Sequence, residues 1–174
     1  WGQASGGQTE VELLADSLFA LGRHEASLQL LESRIAEVGD TYRLHVLAAR
    51  ELLALGYSAT EPDTARARLR AAIDHGERAI ALDSTGVDGR YVTLASGGRL
   101  ALVEGSSATG ARLGGWVEGL ARGLLVDTDS LHAGAHNALG RLYLEISRLS
   151  TLKRLGAKLI IGGIPDSGGE ELEA

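Results

Sequence analysis

The dipeptide Leu-Gly stands at residues 21–22 and again at 55–56, an interval of 34 residues. A period between about 20 and 50 residues marks an array of small supersecondary units, each unable to bury its own apolar face without a neighbour. Composition decides what those units are made of. Leu (30) and Ala (25) make up nearly a third of the 174 residues, while aromatic residues are 4% and β-branched residues are sparse. Strong helix formers in that proportion favour an all-α chain over strands. No apolar run approaches the roughly 18 residues of a membrane span. The net charge of -6 and pI near 5.4 have the wrong sign for a nucleic-acid binder. With no Cys, the chain has neither disulfides nor thiolate metal ligands.

Apolar spacing and punctuation divide the chain into helices. Thr9 is a candidate N-cap before Val11, Leu14, Leu18 and Leu21, and Gly22 stops that stripe. The period resumes over 23–38, and Gly39-Asp40 stops it and caps the next helix. A third helix is expected over 41–55, ended by Gly56, and a fourth from Pro62 to about Leu82. After the turn Asp83-Ser84-Thr85-Gly86, segments 87–104 and 111–126 read as a pair around the loop Gly105 to Gly110. Asp127 to Ser130 reads as a turn and cap, followed by 131–149 and a further segment to Ile161. The expected organisation is a tail over 1–8, an array of about four helix pairs over 9–161, and a breaker with a short helix start over 162–174.

At this point the chain resembles the tetratricopeptide-repeat (TPR) family. Leu14-Ala15, Leu18, Gly22-Arg23-His24-Glu25, Leu28 and Leu31 match the small and apolar positions of that repeat. A second copy offers Ala48-Ala49, Leu52, Gly56, Ala72 and Ala79. A third offers Tyr91 and Leu94-Ala95, leaving through Leu125-Val126-Asp127. In the fourth, His136, Leu139, Gly140 and Tyr143 look like the first helix of a repeat, with Gly140 where a neighbouring helix approaches. The stretch from Ala135 to Ile164 is also similar to the bacterial relatives of the regulator-of-microtubule-dynamics subgroup. The resemblance implies a TPR-like solenoid of antiparallel helix pairs, a right-handed superhelical array with a concave binding face. The chain departs from the repeat where the spacing between first helices grows from about 31 to about 45 residues and where Gly replaces larger residues in the third pair.

Candidate chemistry is sparse. His132 and His136 share a helix face at i and i+4, but Ala-Gly-Ala between them lacks the glutamate of a zinc-protease helix, so a cap-proximal His132 and a repeat-packing His136 are expected. Gly105 to Gly110 has the glycine spacing of a phosphate loop, yet Ala111-Arg112 stands where Lys and Ser/Thr are needed. Gly115, Gly119 and Gly123 form a small-residue ridge expected to pack against a neighbouring helix, with Trp116 beside it as core residue or partner anchor. Arg148, Lys153, Arg154 and Lys158 alternate with Leu149, Leu152, Leu155 and Leu159 in a basic amphipathic segment, 148–161. The carboxylate pairs Glu170-Glu171 and Asp127/Asp129 lie near a terminus or in a turn, and no acid–base dyad, metal set or cofactor site is expected.

The functional expectation is a non-enzymatic scaffold that binds another protein, an extrinsic subunit of a membrane complex touching the membrane surface through the basic segment. The alternative is a small-ligand-binding TPR component of a transporter, with its pocket between the third and fourth helix pairs. The opening Trp1 and the absence of Met suggest a chain that is processed, truncated or taken from within a longer one, and export is one explanation. An exported, periplasmic setting is expected from that, with a cytoplasmic one as the alternative.

Overall fold

The computed structural model describes residues 9–148, and these form seven α-helices with no strand among them. α1 (Glu10–Ala20) opens on a reciprocal cap in which Thr9 Oγ1 accepts from the Glu12 amide and Glu12 accepts from the Thr9 amide. It closes at Gly22, whose φ of +70° a side chain would strain. α2 (His24–Val38) ends at Gly39 (φ +85°), and Thr41 then caps α3 (Tyr42–Ser58) by accepting from the Leu44 amide.

α3 does not end at Gly56 as its sequence suggested. The helix runs on to Ser58, and Gly56 is buried inside it, where a Cβ would come within 2.7 Å of the Leu69 side chain. The two glycines of the 34-residue interval thus do different work. Gly22 turns the backbone, whereas Gly56 lets α3 and α4 (Pro62–Leu82) approach closely.

Pro62 starts α4 at the position where its missing N–H costs nothing. Asp83 Oδ1 then accepts from both the amide and the hydroxyl of Thr85, closing the turn into α5 (Val87–Glu104). α6 (Ala108–Asp127) begins three residues earlier than its sequence suggested, because Ser107 Oγ accepts from the Gly110 amide and shortens the expected loop. α7 (Ala133–Ser147) begins later than expected. Asp129 and Ser130 take left-handed backbone in the turn, and His132 Nδ1, not the Asp-rich turn, accepts from the Ala135 amide.

Each helix packs on its sequence neighbour, α3 on α4 most extensively. In addition α1 touches α3, α3 touches α5 and α5 touches α7, while among the described residues no even-numbered helix packs on the next even one. Two cores result. Ala15, Leu28, Leu31, Leu44, Leu47, Ala48, Leu52 and Ala72 join α1 to α4; Leu94, Val117, Ala121, Leu124 and Ala135 join α5 to α7. Burying leucines of this kind contributes about 1.5–3 kcal/mol each. The cores meet where Gly76 of α4 sits against Thr93 of α5 and where the hydroxyl of Tyr42, at the start of α3, accepts from the Gly89 amide of α5 at 2.8 Å. None of the described helices is long and apolar enough to cross a membrane.

Candidate functional site

The singled-out residues occupy very different places. Ala15, Ala72, Ala79 and Leu94 are fully buried, and Ala95, Leu139 and Tyr143 are half-buried. Leu14 is 50% exposed, since the side of α1 that meets α2 and α3 is the one carrying Ala15. Gly22 lies in the α1–α2 turn with nothing near it. On α7 the face that enters the core carries Ala135, Leu139 and Ile146, which leaves His136 and Gly140 outward. The space expected to be closed over Gly140 is empty among the described residues, and His136 Nε2 lies 2.9 Å from the Ser130 carbonyl oxygen.

Among the described residues the expected glycine ridge of α6 is not its main packing surface. Gly119 is exposed, and the buried stripe is Gly110, Gly114, Val117, Ala121 and Leu124, offset around the helix. Trp116 is half-buried, its ring so close to α5 that a Cβ on Gly97 would collide with it. Of the basic segment, Arg148 is exposed and bonded to Glu145 at 2.8 Å; Lys153, Arg154 and Lys158 lie outside the described residues.

Polar clusters formed across helices are not legible in the sequence: one joins Glu118 to Arg122 and Tyr143, each at 2.9 Å, and two lie among the first four helices. Glu51 is 0% exposed and receives Ser27 Oγ at 2.8 Å, Arg50 at 3.1 Å and the His24 imidazole at 2.8 Å. Arg50 also reaches Asp16 at 2.6 Å and covers the Phe19 ring, so this cluster ties α1, α2 and α3 together. Ser27 donates to the carboxylate, not to an imidazole, so the three side chains do not form a nucleophile–base relay. Glu51 falls four residues after Leu47 on the apolar stripe of α3, which is the signal that places it inside.

The second cluster lies at the α2–α3 turn. His45 Nδ1 and His75 Nδ1 are 2.9 Å apart, and His45 Nε2 stands 3.2 Å from Asp40, which Arg78 also holds. The Arg78 hydrogen bond, then that of His45, keeps the Asp40 carboxyl below its ordinary range. Burial, and then the charge of His45, push the His75 imidazole below 6.5.

The feature with the character of a ligand site is a cavity of about 400 Å³ between α5, α6 and α7. Its size is within the range of small-molecule sites. α5 gives it Leu94, Ala95, Gly98 and Leu102, and α6 gives Ala111, Gly114 and Val117. α7 gives Ala138, Leu142 and Ile146, so the walls are mainly apolar. The polar groups are Tyr57 from the end of α3, Tyr91 and Arg99 from α5, Ser106 and Ser107 between α5 and α6, and Asn137, Arg141 and Glu145 from α7. The cavity exists because α6 and α7 pack tightly only at one end. Near the α6–α7 turn Ala121, Leu124 and Ala135 close the core; toward the start of α6 the facing residues are glycine and alanine, too small to fill the gap.

Arg99 is held in place from the side. Its guanidinium lies 4.8 Å over the Tyr57 ring, and its Nε is buried with no hydrogen-bond partner. Compared with known proteins, the chain matches no family model and no curated relative.

Proposed function

We propose that the chain is a TPR-like, right-handed solenoid of antiparallel helix pairs that acts as a non-enzymatic binding protein for a small, largely apolar ligand, in the manner of a TPR component working with a transporter. The observation that carries this reading is the cavity between the third pair, α5 and α6, and α7, the first helix of the fourth. The solenoid reading is supported by the succession of contacts: among the described residues odd helices meet one another and even helices do not, as in a curved array whose inner row is odd-numbered. An inner row that opens a pocket on its own surface is a natural place for a ligand.

The test is a thermal-shift screen of organic ligands with apolar bodies. A ligand that binds only the folded chain at a hundredfold excess over its Kd adds about 2.7 kcal/mol and raises Tm. Leu142→Trp, which fills the cavity, should abolish the shift while leaving the fold intact by circular dichroism. Ligand shifts that persist in that variant would move the site elsewhere.

A second reading, the extrinsic scaffold of a larger membrane complex on the periplasmic side, is favoured by the α6–α7 turn. Val126 and Leu131 are 76% and 84% exposed there, large apolar side chains of the kind that mark contact surfaces. Under it, Leu131→Asp should lose a partner that the unaltered protein retains in gently solubilised membranes. Equal recovery by both proteins would count against this reading.

A further inference from the structure

Most arginines of the described residues are held by carboxylates. Arg50 reaches Asp16 and Glu51, Arg66 and Arg70 share Glu104, Arg78 meets Asp40 and Arg90 meets Asp127. Arg99 and Arg141 have no carboxylate partner among the described residues, and both stand on the wall of the cavity. The acidic group on that wall, Glu145, is already engaged by Arg148 at 2.8 Å. The cavity therefore presents uncompensated positive charge inside a chain of net charge -6.

Arg99 is the more telling of the two. Its Nε, like that of Arg50, is buried without a hydrogen-bond partner, but the other nitrogens of Arg50 meet Asp16 and Glu51, whereas those of Arg99 meet no carboxylate among the described residues. The stacking on Tyr57 fixes the plane of the guanidinium without satisfying its N–H groups. A guanidinium so oriented offers two parallel donors, the geometry that suits a carboxylate. Beside it are the apolar walls of Leu94, Leu102 and Leu142.

We propose that the cavity takes an anionic amphiphile, a carboxylic acid with an apolar body, whose carboxylate is received by Arg99 with Arg141 adding positive charge at the rim and whose body lies between α5, α6 and α7. This rests on the small-ligand reading above. Arg99 and Tyr57 then set the specificity for charge, and the glycine- and alanine-lined walls set it for shape.

The experiment is isothermal titration calorimetry of the full chain with octanoate, octanol and octylamine, below micelle-forming concentrations and near neutrality, repeated with Arg99→Met and Arg99→Lys. Octanoate should bind about tenfold or more tightly than octanol, and octylamine more weakly than either. Arg99→Met should bring octanoate down to the octanol level and leave octanol unchanged, with Arg99→Lys in between. Equal binding of the three probes, or octanoate affinity unaltered in a folded Arg99→Met, overturns the anion preference while the cavity reading stands. Binding of none of them, with Leu142→Trp also silent, overturns the cavity reading itself. If Arg99→Met fails to fold, the ranking of the three probes on the unaltered protein decides alone.

Discussion

Among the described helices, α1 to α4 and α5 to α7 solve the same packing problem with different residues. α1 to α4 close around leucines and around one buried carboxylate, Glu51, that gathers Ser27, His24 and Arg50. α5 to α7 close around fewer large residues, Leu94, Val117 and Leu124, and bring small ones to their contacts: Gly97 under Trp116, Gly134 under Tyr91, and the Gly110-Gly114 edge of α6. Leucine fills space and leaves a solid core. Glycine brings a ring onto the backbone at Gly97 and Gly134, and along the start of α6 it leaves unfilled the space that Leu102, Leu142 and Ile146 bound. The cavity is found in the glycine-rich part for that reason.

The contrast breaks first at Glu51. Glu51→Ala leaves three polar partners buried or half-buried without their acceptor, and should cost about 3–5 kcal/mol in urea unfolding. A loss below about 1 kcal/mol, within the range of an ordinary surface substitution, would show that the cluster does not hold α1 and α2 to α3. Next comes Leu47→Ala in the solid core, expected to cost about 2–5 kcal/mol. The same truncation at Leu142, half-buried on the cavity wall, should cost clearly less, since the void there already exists. Equal losses at the two positions would mean that the cavity is filled in solution.

Glycine gives a test of sign. Gly97→Ala drives a methyl into the Trp116 ring and should destabilise by about 1–3 kcal/mol, with a shift in tryptophan emission. Gly119→Ala meets open space on the exposed side of α6 and should stabilise by up to about 1 kcal/mol through helix propensity. Destabilisation at Gly119 would restore the ridge of Gly115, Gly119 and Gly123 as a packing surface.

The smallest effect is confined to one pH window. The His75 imidazole is held below 6.5 in the folded chain by burial and by His45, against the opposing charges of Asp74 and Asp40. As pH falls below 6.5 the unfolded chain takes up the proton first, so stability declines between 6.5 and the lowered folded value and is unaffected by this group above 6.5. His75→Gln should flatten that part of the stability curve. An unchanged slope would assign the acid sensitivity to other groups.

Much of the helical layout was legible in the residues. The bounds of α4 and α5 follow from Pro62, the Asp83–Gly86 turn and Gly105, because caps and breakers act on their own neighbours. Errors fell where a local signal had two meanings. Gly56 reads as a stop but is a contact, and Gly119 reads as a contact but faces outward; only the helix across from each distinguishes the two cases. The site was barely legible. Arg99 and Tyr57 are far apart in sequence, and nothing near Arg99 announces that it lacks a carboxylate.

By itself the sequence determined the all-helical character, the order of the helices and most of their ends, since propensity, capping and glycine turns act over a few residues. The tertiary structure decided which glycines carry weight, where Glu51 finds its partners and that a cavity opens between α5, α6 and α7. Those outcomes depend on which side chains face one another across helices distant in the chain, and on whether their volumes fill the space between them.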